Sequence, residues 1–242
     1  MAKLIILSAG HTNVIGRDRG ASNKNFIEGE LTVEFRELVF IELKKLGLNP
    51  IKDSNNSSLK ESINYFKKYF SKDSINIEYH FNSFNNSATG TEVIIPNNPS
   101  KLEKLIAKDL AEITSKILKI PLRKITGVIT ELESHHGKLG WMRPKGENIV
   151  PELCFISNDN NMESFQENKF LLAKEHAKII YYYSIGKNKY TFEPKELIHN
   201  VKINETLFSI ANYYKTSVFK IKSDNNLSND HIYINQKLKI KN

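Results

Sequence analysis

Two histidines and a set of carboxylates stand where buried strands would end. The stretches are Leu4-Ile5-Ile6-Leu7-Ser8-Ala9-Gly10-His11, Ile77-Glu78-Tyr79-His80-Phe81-Asn82 and Pro151-Glu152-Leu153-Cys154-Phe155-Ile156-Ser157-Asn158, with the acidic step Glu28-Gly29-Glu30 between the first two. In an open α/β sheet, side chains at the carboxyl ends of different strands converge on one crevice, where ligands bind. Two histidines and one carboxylate there suit a zinc ion that keeps a position open for water. A second carboxylate suits the proton transfers of hydrolysis. Each residue also has a plainer reading. His11 alone reads as an exposed loop histidine, and His80 as a partly buried one satisfied by a backbone carbonyl. Glu28 and Glu30 could each simply favour a helix N-terminus. Glu152 lies in the apolar run Ile149–Ile156, where a buried carboxylate needs a partner or a metal; on strand alternation it could instead face outward.

The elements that would position these residues alternate. Residues 3–8 form an apolar run suited to a strand buried on both faces. The polar, glycine-rich stretch from Gly10 to Gly29 is too long for a mere connection. Leu31, Phe35, Leu38, Val39, Leu43 and Leu46 recur at helical spacing, with Gly47 as the stop signal. A short extended piece near Leu48–Lys52 and an amphipathic helix around Leu59–Phe70 follow. Strands are expected at Ile75–His80, Gly90–Ile95, Gly127–Thr130 and Val150–Ile156. Helices are expected at Leu102–Ile117, capped by Ser100, and at Phe165–Tyr183. This order predicts a three-layer α/β/α domain with a mostly parallel sheet. Past Gly186 comes a polar connector, Lys187–Glu196, containing Pro194. The remainder reads strand, helix, helix, strand over Ile198–Lys202, Thr206–Tyr214, Val218–Ser223 and Lys237–Ile240, a small α+β unit with little core.

The 242 residues, 40% apolar and 26% charged, allow one sizeable α/β domain and a small appendage. No run approaches the roughly 18 apolar residues of a membrane span. Met1–Leu7 lacks the roughly 7–15 apolar residues and cleavage site of a secretory signal, so synthesis in the cytoplasm without a signal peptide is expected. The single cysteine, Cys154, excludes an intramolecular disulfide and any multi-cysteine zinc site. A metal would have to be held by nitrogen and oxygen. The net charge of +8 favours a polyanionic partner, and ten lysines against five acidic residues place +5 of it in Lys187–Asn242. Nucleic acid is disfavoured, because the lysines are scattered and no zinc-knuckle or RNP-type motif occurs.

Taken together, Ser8-Ala9-Gly10-His11, Arg17-Asp18-Arg19-Gly20-Ala21, Glu28-Gly29-Glu30-Leu31-Thr32-Val33, Tyr79-His80-Phe81-Asn82 and Pro151–Asn158 resemble the zinc-dependent N-acetylmuramoyl-L-alanine amidases of the Amidase_3 family. Order and approximate separations match over roughly residues 3–185. The resemblance implies hydrolysis of the amide between N-acetylmuramic acid and L-alanine in peptidoglycan. It implies Zn2+ held by His11, Glu28 and His80, with Glu152 as catalytic acid/base. Glu28 fits the ligand position better than Glu30, the fallback, because the apolar helix begins three residues after it. Two departures stand out: Cys154 where the family usually has glycine, and Pro151 where it has an aliphatic residue. Pro151 cannot donate a strand hydrogen bond, so the pairing beside Glu152 is expected to be altered or the strand to lie near an edge.

The tail, through Val201–Ala211 and Asn225–Ile240, resembles a LysM domain, which implies binding to N-acetylglucosamine-containing glycans such as peptidoglycan. Asn204-Glu205-Thr206-Leu207 stands where the pattern usually has Gly-Asp-Thr-Leu; asparagine suits a left-handed turn and Thr206 a helix start. Among the other polar residues, His135 and His136, near Glu131 and Glu133, offer an alternative metal site. Neighbouring strand residues face opposite ways, so a solvated loop beside the substrate groove is expected there. Arg143 suits either a substrate carboxylate or a surface ion pair, and Cys154 an inert buried thiol. The chain thus reads as a catalytic domain over 1–186, a linker over 187–196 and a glycan-binding domain over 197–242. The expected protein is a peptidoglycan hydrolase, a phage endolysin reaching the wall through a separately made pore, without nucleic-acid binding or membrane insertion. A bacterial autolysin of the same chemistry and a catalytically silent wall-binding protein are the alternatives.

Overall fold

The computed structural model describes residues 2–135, 137–191, 196–214 and 216–241. The apolar run at the start forms β1 (Leu4–Ala9), which pairs in parallel with β2 (Ile51–Lys52) on one side and β3 (Ser74–Asn82) on the other. β3 continues in parallel to β6 (Glu147–Phe155), which meets β4 (Glu92–Ile95) antiparallel; β4 pairs in parallel with β5 (Val128–Thr130). The order is β2-β1-β3-β6-β4-β5. The sheet is therefore mostly parallel, as expected, with its last two strands reversed.

Alternation along β3 divides the layers. Ile75, Ile77, Tyr79 and Phe81 enter the larger core, beneath α1 (Glu28–Lys45), α3 (Lys101–Leu118) and α4 (Asp159–Ser184). On the other face Ile6, Ile94 and Val150 pack against Phe66 of α2 (Leu59–Phe66) and Trp141 of a 3-10 turn at Gly140–Met142. That thinner layer shares its side of the sheet with Asn76, Glu78 and His80. Ser100 caps α3 in a capping box with Glu103. Glu103 Oε1 also accepts the Asn148 N–H at 2.7 Å, so the helix start is fastened to β6. α4 begins six residues before the expected Phe165. Asn158 caps it by accepting from the Asn161 N–H, and its first turn is too polar to display an apolar stripe.

β6 runs through the middle of the sheet, so the edge position anticipated from Pro151 does not occur. The altered pairing does. Paired positions reach Ile77↔Ile149 and resume at His80↔Glu152, leaving the interval opposite Pro151, which has no N–H to give. The register then shifts by one residue before Asn82↔Phe155.

Residues 196–241 form a separate small core of Val201, Leu207, Ile210, Ala211, Ile221, Leu238 and Ile240. It is built from antiparallel β7 (Glu196–Asn200) and β8 (Lys237–Lys241) with α5 (Leu207–Tyr214) and α6 (Val218–Asn225) between them. Asn204 adopts the left-handed conformation, φ 65°. Thr206 Oγ1 accepts the Ser209 N–H at 3.1 Å at the start of α5. No helix among the described residues is long and apolar enough to cross a membrane.

Candidate active site

The carboxyl ends of β1 and β3 lie side by side, and the backbone at Gly10 passes close under the His80 ring. A Cβ on Gly10 would stand 2.1 Å from His80 Cε1, so only glycine permits this approach. His11 follows, and its ring meets that of His80 edge-on at 5.1 Å between centroids. Glu28, the first residue of α1, points between them. Its Oε1 is 3.2 Å from His80 Nδ1 and its Oε2 is 3.5 Å from His11 Nε2. The loop from Gly10 and strand β3 together hold this carboxylate, the Ala21 N–H of the loop donating to Oε2 at 2.9 Å and the Phe81 N–H of β3 to Oε1 at 3.0 Å. Gly20, at φ +70°, lies where a Cβ would fall 2.5 Å from Glu28 Oε2. One candidate ligand atom from each of His11, Glu28 and His80 lies within 4.8 Å of the others, and among the described residues this is the one such cluster.

Glu152 is buried on the same face of the sheet, directly across from His80 on β3 and from Glu92 on β4. Burial disfavours its charge; His80 opposes this, but Glu28, Glu92 and Glu78 reinforce it, and the carboxyl is pushed up to about 8. Burial likewise works against a charged Glu28, yet the hydrogen bond and charge of His80, the charge of His11 and the Phe81 N–H outweigh it and hold that carboxyl below its ordinary value. Burial disfavours protonated His80 as well, but Glu28, Glu78 and Glu152 prevail and raise it well above the usual histidine range. A buried set of two imidazoles among carboxylates thus attracts positive charge, and its nitrogen and oxygen donors match those that zinc takes. The residues present fit the ion.

A cleft of about 940 Å³ opens over this cluster. Its walls include the Gly10–Gly29 loop, the start of α2 at Ser58, Leu59 and Glu61, Phe84, and Leu139 with Trp141. His135 lines it too, consistent with a loop beside the groove, whereas His136 lies outside the described residues. Glu131 and Glu133 are occupied elsewhere: Glu131 takes the Leu139 N–H at 3.1 Å and pairs with Arg143, and Glu133 takes the Thr130 N–H at 2.7 Å. Arg143 is thus an ion-pair partner of a buried carboxylate. Glu30 turns outward to pair with Arg19. Cys154 is fully buried, and burial raises its thiol far above the ordinary value, which keeps it protonated and inert.

Sequence reading missed three carboxylates of this site. Asp18 Oδ1 lies 3.2 Å from His11 Nδ1, Glu78 Oε2 lies 3.2 Å from His80 Nε2, and Glu92 accepts from Asn82 Nδ2 at 2.7 Å while pairing with Arg123. For Glu78 the signal was present. It sits two residues before His80, hence on the same face, in a strand whose alternate residues Ile75, Ile77, Tyr79 and Phe81 are apolar.

Two imidazoles at strand ends, a carboxylate at a helix start and a further buried carboxylate across the sheet give this α/β domain a donor set that suits a hydrolase. The chain belongs to the Amidase_3 family, the N-acetylmuramoyl-L-alanine amidases, whose model matches residues 5–182. Residues 199–241 match the LysM domain. Among solved structures, the chain is similar to a protein from Neisseria meningitidis assigned as an N-acetylmuramoyl-L-alanine amidase, at 27% identity and TM-score 0.62, over 76% of this chain and 96% of that one. It shares its fold with the N-acetylmuramoyl-L-alanine amidase of Clostridium difficile 630 (18% identity, TM-score 0.63, 77% and 100% covered). It also shares it with the catalytic domain of an endolysin targeting Clostridia difficile (17%, 0.55, 78% and 99%). No curated protein sequence matches it significantly.

The close approach at Gly10 yields a direct expectation. Gly10→Ala must displace the His80 ring, because the obstructing atoms belong to the ring itself. Turnover of peptidoglycan should fall at least about tenfold, as for a small displacement of a catalytic group, while the circular dichroism spectrum stays that of the folded protein. Unchanged turnover would mean that the seat of His80 does not depend on the missing Cβ.

Proposed function

We propose that this amidase is zinc-dependent, with His11, Glu28 and His80 as the ligands and Glu152 as the acid/base. The observation that carries this reading is the placing of Glu28 between the two histidine rings, with Glu152 opposite His80 across the β3–β6 register. Zinc bound there would acidify a water molecule and polarise the scissile carbonyl. The chain's own groups then have separate tasks. Glu28 is held by two backbone N–H groups and orients both rings. Asp18, 3.2 Å from His11 Nδ1, places a negative charge beside that ring. Glu152 removes the proton of the attacking water and returns it to the departing nitrogen of L-alanine.

We assign the catalytic domain to 1–186, the connector to 187–196 and the glycan-binding domain to 197–242, the last keeping the enzyme on the wall polymer. The role proposed is that of a phage lysis enzyme, supported by the fold shared with an endolysin catalytic domain. A host expressing it should lyse only when a membrane pore is made as well; lysis without a pore would point to an exported autolysin.

The chemistry is tested with purified sacculi. New L-alanine N-termini should appear, cease with a chelator and return with added zinc. Turnover that survives thorough chelation overturns the zinc assignment. A full complement of zinc with no product favours the silent binding protein.

A further inference from the structure

We propose that Glu78 is a positioning residue for His80: it accepts the hydrogen bond from His80 Nε2–H and so keeps the lone pair of Nδ1 turned toward Glu28 and the ligand cluster. The inference rests on the proposed zinc reading. Glu78 is almost wholly buried, on the sheet face that carries the site, and it lines the cleft. Its Oε2 lies 3.2 Å from His80 Nε2, while His80 Nδ1 lies 3.2 Å from Glu28 Oε1. The two nitrogens of one ring therefore face two different carboxylates. Glu78 Oε1 has no hydrogen-bond partner among the described residues.

Packing alone does not account for a carboxylate in this place. An unpaired buried oxygen costs free energy. Its neighbour across the β1–β3 pairing is Ser8, whose hydroxyl donates to Asp53 instead. The contact it does make is the one a metal-binding histidine requires. A neutral imidazole offers one lone pair, and the nitrogen that does not bind must donate its hydrogen to an acceptor, which fixes tautomer and ring orientation. Glu78 supplies that acceptor from the same strand, two residues away, where strand geometry sets the spacing.

The test compares the wild type with Glu78→Gln and Glu78→Ala, using zinc as the probe in competition with a chromophoric chelator, alongside thermal melting of the metal-free proteins. Glu78→Ala should bind zinc about 10–100-fold more weakly, the usual loss when such a partner is removed. Its metal-free form should melt below the wild type, because His80 Nε2 is left buried without its acceptor, and the loss of zinc affinity is read against that separate cost. Glu78→Gln, whose amide oxygen still accepts, should recover most of the affinity. Zinc bound by Glu78→Ala as tightly as by the wild type would overturn the proposal, as would Gln behaving no better than Ala. Should the Ala variant fail to fold, a large loss of zinc affinity in the isosteric Gln variant would overturn it instead. A wild type that binds no zinc would sink the underlying metal reading, a result distinct from either.

Discussion

On the proposed zinc reading, Glu152→Gln should bind the metal as the wild type does and lose about 10²–10⁴-fold in kcat, the range expected for a positioned acid/base. Glutamine has nearly the same shape and suits a site with almost no exposure, so the fold and the ligand cluster are left in place. What it cannot do is take a proton from water or give one to nitrogen. The environment supports the proposed division, in which this carboxyl rather than Glu28 carries protons. Glu28 is held below its ordinary range by the histidines and by backbone N–H groups, which suits a permanent ligand. Glu152 is pushed up to about 8 by burial and by three neighbouring carboxylates against the opposing His80. A bound dication would draw it back down, toward the range where accepting and returning a proton are both easy. Metal analysis beside steady-state kinetics checks the division of roles. Loss of zinc in Glu152→Gln would exchange the roles of ligand and acid. A kcat within tenfold of the wild type would mean that another group carries the proton.

Strands and helices were legible because burial writes itself into spacing. β1 is apolar at almost every position since both its faces are covered, and α1 repeats at 3.6 residues because one stripe faces the sheet. The choice between Glu28 and Glu30 was nearly legible for the same reason. Helix residues two positions apart differ by about 200°, so one points inward when the other points out. Glu28 lies three and seven residues before Leu31 and Phe35, both buried, and so shares their face. Reading that phase back into the first turn would have selected it without reference to any family. Glu92 was not picked out, although it begins the apolar strand Glu92–Ile95 much as Glu152 stands in its own apolar run; Glu78 was obscured because it alternates with apolar residues, as an outward-facing carboxylate would. The convergence itself left no mark in the sequence. His11, His80 and Glu152 come from strands far apart in the chain, and it is the sheet order that brings them together.

Asp53→Ala should destabilise the protein by about 3–5 kcal/mol, the cost of removing one member of a buried ion pair. Asp53 and its partner Arg36 are both inaccessible to solvent. Asp53 Oδ2 accepts from the hydroxyls of Ser8 at 2.5 Å and Ser62 at 2.6 Å, and its backbone oxygen accepts from Arg36 at 3.1 Å. One carboxylate thereby joins β1, α1 and α2: the strand that leads to His11, the helix that begins with Glu28, and the helix that forms a wall of the cleft. Without it Arg36 stays buried, with Glu37 at 2.7 Å and Asn55 as its side-chain partners, and two hydroxyls lose their acceptor. Urea unfolding of the metal-free protein measures the cost, and a loss below about 1 kcal/mol, the scale of an exposed pair, would mean that these elements are held by packing instead. A double variant, Arg36→Met with Asp53→Leu, should recover much of the loss, because an apolar pair carries neither desolvation penalty. Turnover separates the two contributions of the pair. If the double variant is stable yet slow, the ion pair sets where β1 delivers His11; if it is stable and fast, the pair serves the fold alone and the site is aligned by the sheet.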